Sequence, residues 1–216
     1  MPGPRSSALR IRSKRPQARG FVTRRRVLDA AEQHFAKHGY EPSTMAEVAE
    51  RARVSVGTLY HHFPDKRALL LALIDDWGDR ELSRQRAELD ALRELGSGLR
   101  AAIGQFLAMR SRDLQKNGGF RLVLLELAER DSDVRARLDR IDQVAAERIR
   151  DLLEAGQARG IVRRTLDPLA AAFLIARAVR SAAIEVFVHR VSEPTPEHVF
   201  KELVDLISRY VLDEKD

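Results

Sequence analysis

Residues 44 to 62 read TMAEVAERARVSVGTLYHH, and this stretch decides the fold. Thr44 with Glu47 three residues later makes a capping box, which starts a helix by satisfying the orphan N–H groups of its first turn. Met45, Val48, Ala49 and Ala52 keep helical spacing, so about two turns are expected, ending near Arg51. Ala52, Arg53 and Val54 then form a three-residue turn, and a second short helix runs from Ser55 to His61. A short helix, a tight turn and another short helix are the spacing of a helix-turn-helix. Such a pair cannot bury its own apolar face. The segment Thr23 to His38 supplies the helix behind it, with Val27, Leu28, Ala31 and Phe35 on one side.

Outward from this module the chain continues in helices. Leu70, Leu73, Ile74 and Trp77 keep the period, as do Val134, Leu138, Ile141, Ala145, Ile149 and Leu152, and then Val199, Leu203, Leu206, Ile207 and Tyr210. Asp167-Pro168 and Thr195-Pro196 each place a cap before a proline at the first helical position. Breakers stand at Gly39, Gly96 to Gly98, Asn117 to Gly119, Gly160 and Ser192 to Pro194. No segment alternates as a strand does. The expected fold is all-α with about nine helices: a basic, disordered arm over 1–20, a trihelical helix-turn-helix module over 21–66, and a helical bundle over 67–216. The helix from Asp65 to Glu88 is shared by module and bundle.

The 216 residues, 44% apolar and 32% charged, describe a globular chain with a sizeable core. Cysteine is absent, which excludes disulfide scaffolds, thiol nucleophiles, zinc ribbons and iron–sulfur sites. The longest strictly apolar run, Leu169 to Ala176, is cut by Arg177 and Arg180, so no bilayer span and no membrane partner are expected. The basic N-terminus has no apolar segment of the secretory kind, and a cytoplasmic setting follows. Its charge is uneven: the first 28 residues hold nine of the 38 basic residues and none of the 32 acidic ones. An arm of that composition points to phosphate.

The second short helix carries Ser55, Val56, Gly57, Thr58, Tyr60, His61 and His62, with no carboxylate and several groups suited to a DNA backbone or a thymine methyl. Here the chain resembles the DNA-binding domain of TetR-family transcriptional regulators. The resemblance lies in Arg26-Val27-Leu28-Asp29-Ala30-Ala31, Phe35, Gly39-Tyr40, Thr44-Met45, Val48-Ala49, the run Val54 to Lys66, and Leu69-Leu70. It is dense over about residues 23–72 and one of layout beyond. It implies that Val56, Gly57 and Thr58 face the major groove, and that Thr44, Tyr60, His61, His62 and Lys66 meet phosphates, with Leu59 and Phe63 turned inward. Arg53 stands where the family usually has glycine. A left-handed backbone there would cost about 1 kcal/mol, which a phosphate contact by Arg53 could offset.

The resemblance also implies a ligand-responsive homodimer that binds double-stranded DNA, acts as a repressor on a pseudo-palindromic operator, and is released by an unidentified small-molecule effector. The segment Pro168 to His189 is apolar almost all round and needs cover on two sides, so the helices at 168–189 and 196–212 are the expected dimer contact. Phe106, Met109, Phe120, Leu124, Ile141, Val144 and Phe173 are candidate walls of an apolar or amphipathic effector's pocket. Arg177 or Arg180 would anchor an acidic group there, or else make ion pairs at the interface or its rim.

Other chemistry finds little support in these residues. His34 and His38 have a metal-compatible i, i+4 spacing but no evident third ligand, so no metal is expected. Gly96-Ser97-Gly98 lacks the lysine and flanking strand of a phosphate loop. No cofactor and no enzymatic activity are expected. The competing functions are a ligand-independent DNA-binding protein of the same fold and a helical metal-binding protein or enzyme built on His34 and His38.

Overall fold

The computed structural model describes residues 15–94, 101, 104, 105, 108, 118–189 and 191–212. It is all-α among these residues. Helix α1 spans Arg15–His38, α2 Met45–Arg51, α3 Val56–His62 and α4 Lys66–Glu94. They are followed by α5 over Gly119–Ala128, α6 over Ser132–Ala158, α7 over Pro168–Ala183 and α8 over Pro196–Val211. Residues 101, 104, 105 and 108 are also helical. A π-helical turn, Ile184–Val188, prolongs α7 and closes with a bond from the His189 N–H to the Ile184 carbonyl.

The caps read from the sequence are in place. Asp167 accepts from the N–H groups of Leu169 and Ala170 ahead of α7, and Thr195 accepts from that of His198 ahead of α8. Helix α1 begins eight residues before the expected Thr23, so residues 15–20 of the supposed arm are helical, and residues 1–14 lie outside the described residues. Pro16 does not prevent this, because a first-turn residue needs no intrahelical N–H bond.

The main core does not divide at residue 66. Val27, Leu28, Phe35, Val48 and Leu59 of the helix-turn-helix pack with Leu69, Leu73 and Trp77 of α4, Phe120 and Leu124 of α5, and Val134 and Leu138 of α6. Helix α5 begins flush against α1. A Cβ on Gly119 would stand 3.1 Å from both the Cβ and the carbonyl oxygen of Ala36. At its other end the corner between α5 and α6 is tied to the start of α4, where Arg67 binds Asp131 at 2.5 Å and Asp133 at 2.6 Å. A second core joins Leu153, Val162, Leu166, Ala171, Ala172, Ile207 and Val211, from the end of α6 to α7 and α8.

Candidate nucleic-acid interface

The turn between α2 and α3 is built around Arg53, whose φ of +53° lies in the left-handed region. The N–H of Arg53 bonds the Glu50 carbonyl at 2.9 Å, and that of Val54 reaches back to the Ala49 carbonyl at 3.0 Å. These two bonds are the Schellman closure of a helix, in which the left-handed position normally falls to glycine. The clamp on this strained turn comes from α1. The Arg26 guanidinium donates from Nη2 to the carbonyls of Ala52 at 2.7 Å and Arg53 at 3.2 Å. Sequence reasoning missed this role, because a side-chain bond to a carbonyl 26 residues away leaves no periodic signal.

The neighbouring arginines are also committed within the fold. Arg25 pairs with Asp76 of α4 at 2.8 Å and with Asp29 at 3.0 Å. Arg24 lies over the Phe63 ring, 5.4 Å from its centroid. The trihelical module is thus held at its open edge by three consecutive side chains of α1.

Helix α3 turns Leu59 wholly inward, with Phe63 buried just beyond it, as expected. Its other side is open. Val56 and Tyr60 are 43% and 49% exposed, and Arg53, Gly57 and His61 are exposed beside them, with His62 half-buried. At Gly57 a Cβ would meet nothing nearer than the Ser55 hydroxyl at 4.0 Å, so the backbone there is open to close approach. No carboxylate lies on α3.

Several polar side chains expected at DNA already have work inside the module. Ser55 caps α3 by accepting from the Thr58 N–H, and its hydroxyl lies 2.8 Å from that of Thr58. Thr44 completes the capping box: its N–H and hydroxyl both donate to Glu47, at 2.8 and 2.7 Å, and its oxygen accepts from the Glu47 N–H. These bonds hold the Glu47 carboxyl below its ordinary range. Lys66, also expected at a phosphate, is engaged within the fold. Its ammonium spends three donors on the carbonyls of Tyr40, Glu41 and Ser43, at 2.9 to 3.0 Å, and sits 4.4 Å from the centroid of the Tyr40 ring. It fastens the loop before α2 and leaves only its charge to act on a phosphate.

His34 and His38 stack with centroids 4.6 Å apart, and Glu47 stands 3.6 Å from His34. Burial, followed by the neighbouring His38, pushes His34 below its usual value. Among the described residues no group of three histidines, cysteines or carboxylates is placed to hold a metal ion.

Among the described residues, the expected pocket walls are divided between core and surface. Phe120 and Leu124 are sealed in the main core, Ile141 fills the space over Gly78, and Val144 is half-buried on α6. Phe173 is 56% exposed, while Phe106 and Met109 lie outside the described residues. Arg177 pairs with Asp139 at 3.1 Å within the chain, and Arg180 with Asp139 and Asp142 at 2.6 and 2.7 Å, so neither is a spare cation for an acidic ligand. Two cavities, of about 210 and 510 Å³, are lined by none of the expected walls. The larger lies between Ser181, Glu185 and Val186 on one side and Val191, Pro194 and Val199 on the other.

Residues 27–73 match the model of the bacterial regulatory proteins of the tetR family. The HTH-type transcriptional regulator UidR of Escherichia coli K12 is 36% identical over 76 residues, 35% of this chain and 39% of that protein. The A-factor receptor protein of Streptomyces griseus is 31% identical over 160 residues, 74% of this chain and 53% of the relative. The chain thus spans about two fifths to one half of the length of these curated relatives. A TetR-family transcriptional regulator from Rhodococcus sp. superposes with a TM-score of 0.66 at 25% identity, over 87% of this chain and 99% of that one. The family match lies on the helix-turn-helix and the structural likeness continues through the bundle, so residues 27–73 are a tetR-family helix-turn-helix carried on a chain similar throughout its described length to TetR-family transcriptional regulators.

Proposed function

We propose that the protein is a dimeric, ligand-responsive repressor that binds a pseudo-palindromic operator through two copies of α3 and releases it when a small apolar or amphipathic effector binds. The observation that carries this is the open face of α3, where Val56, Gly57 and Tyr60 stand exposed beside Arg53 with no carboxylate among them. Val56, Gly57 and Thr58 read the groove edge. Arg53, Tyr60, His61 and His62 meet phosphates, with Thr44 and Ser55 at the helix starts.

Dimerisation is supported by Leu169, Phe173 and Leu174 on α7 and Leu206 on α8, each more than half exposed in the single chain. An apolar patch of this kind calls for a partner. A two-fold dimer must set its recognition helices about 34 Å apart, or a multiple of that, to meet successive major grooves. An effector that favours another separation releases the DNA, and couplings of roughly 1–3 kcal/mol are typical of such linkage. Response to an effector is supported by the name of the Streptomyces griseus relative, a receptor protein. A cytoplasmic, non-enzymatic role without metal or cofactor belongs with this function. No helix among the described residues is long and apolar enough to cross a membrane.

One observation favours a ligand-independent regulator instead, namely the scatter of the expected pocket walls between core and surface. The deciding experiment is binding of the purified protein to a labelled fragment from upstream of its own gene, against a scrambled fragment, across a salt series and with Tyr60→Ala. Preferential binding lost in the variant supports the proposal. Equal binding to both fragments with a steep salt slope overturns it. Addition of a panel of apolar and amphipathic small molecules to the bound complex separates the repressor from the ligand-independent regulator.

A further inference from the structure

The open face of α3 is poor in the groups that usually read bases. Between Val54 and Phe63 there is no arginine, lysine, asparagine, glutamine or carboxylate. Those are the side chains whose donors and acceptors pick out guanine, adenine and cytosine in the major groove. The two hydroxyls at the front of the helix are turned to each other: Ser55 accepts from the Thr58 N–H, and the oxygens lie 2.8 Å apart. Arg53 belongs to the turn before the Ser55 cap, and His61 stands toward the far end of the helix.

What the front of α3 does offer is apolar. Val56 is its first residue, and Tyr60 follows one turn later on the same face. The core takes neither of them and takes Leu59 and Phe63 instead. Beside Val56, a Cβ on Gly57 would meet nothing nearer than 4.0 Å, so bare backbone lets the valine methyls come close to a base edge. Each base pair lines the major groove with donors and acceptors, and the C5 methyl of thymine is the apolar group displayed among them. An exposed valine at the start of a recognition helix therefore has that methyl as its complement.

We infer that Val56 reads a thymine 5-methyl group in each half-site, by apolar contact and not by a base hydrogen bond. Tyr60 flanks the contact and shields it from water. This inference rests on the proposal that α3 enters the major groove, and it names the base chemistry met there.

The test uses the full chain and a duplex recovered by selection from random-sequence DNA. Each thymine of the half-site is replaced in turn, symmetrically in both halves, by deoxyuridine, which lacks only the methyl group. Losing one buried methyl is worth about fourfold in affinity, so one pair of replacements should weaken wild-type binding about fifteenfold. Val56→Ala, at an exposed site, should keep the wild-type helix content and melting temperature. It should bind the thymine duplex about as weakly as wild type binds the uracil one, and should not respond to the replacement at that pair. Wild-type affinity unmoved by every replacement overturns the inference. So does a penalty undiminished in Val56→Ala, which gives the methyl to another residue, and so does a recovered half-site without thymine. Failure of the underlying proposal looks different: no sequence is enriched, or Tyr60→Ala leaves binding intact.

Discussion

The carbonyl of Arg53 lies 3.2 Å from the Arg26 guanidinium, so an arginine in α1 holds a left-handed arginine in the turn of the helix-turn-helix. The same Nη2 takes the preceding carbonyl, of Ala52, at 2.7 Å. Strain at one residue and restraint from another thus meet where α3 is aimed.

Arg26→Met should lower stability by about 1–3 kcal/mol through loss of charged hydrogen bonds. Arg53→Gly should raise it by about 1 kcal/mol, roughly 2–4 °C in Tm for a chain of this size, while weakening DNA binding at low salt. Unchanged affinity in Arg53→Gly would remove the phosphate role. In the Arg53→Gly background Arg26→Met should cost less, since glycine holds the turn unaided. Equal costs in both backgrounds, read by thermal unfolding, would show the two residues to be independent.

Tyr60 and Leu59 are adjacent in sequence and opposite in consequence. Tyr60→Ala, at an exposed site, should leave Tm nearly unchanged and weaken operator binding at least tenfold, about 1.4 kcal/mol. Leu59→Ala, fully buried, should cost about 2–5 kcal/mol of stability. Parallel melting curves and gel shifts separate the two effects.

Asp131 provides an acid-sensitive tie between α4 and the corner of α5 and α6. The Arg67 hydrogen bond, with the N–H groups of Val134 and Asp133, brings its carboxyl from 3.8 down to about 2. A carboxyl lowered in the folded state stabilises fully above its unfolded value and loses that contribution as pH falls toward the folded one. Stability should therefore drop between about pH 4 and pH 2, and Arg67→Met should flatten this limb. Half-exposed Arg67 also makes the effect sensitive to added salt.

Leu174→Glu and Leu206→Glu place charge on the exposed faces of α7 and α8 without touching either core. Sedimentation should show monomers with wild-type helix content and much weakened operator binding. A persisting dimer would move the subunit contact elsewhere.

Periodicity and caps made the helices legible, and the turn position of Arg53 already implied its backbone strain. What stayed hidden were partners. The resemblance implies a phosphate for Lys66 but says nothing of the carbonyls 23 to 26 residues earlier that its ammonium bonds. Arg177 stood open between a pocket anchor and an ion pair because Asp139, on another helix, has no fixed spacing from it. The start of α1 was read too late because the apolar residues nearest the core on that side, Phe21 and Val22, stay exposed and add nothing to a buried period. Phe120 and Leu124 could be read as core or as cavity walls, because an apolar face alone does not say whether another helix fills the space before it.

Since one core joins Val27 of α1 to Leu138 of α6, the helix-turn-helix is not a portable part. A chimera spliced at residue 66 would strip Phe35 and Leu59 of the cover that α4 and α5 supply. The smallest exchangeable unit therefore includes α5 and the first turns of α6, and the salt bridge from Arg67 to Asp131 travels with it.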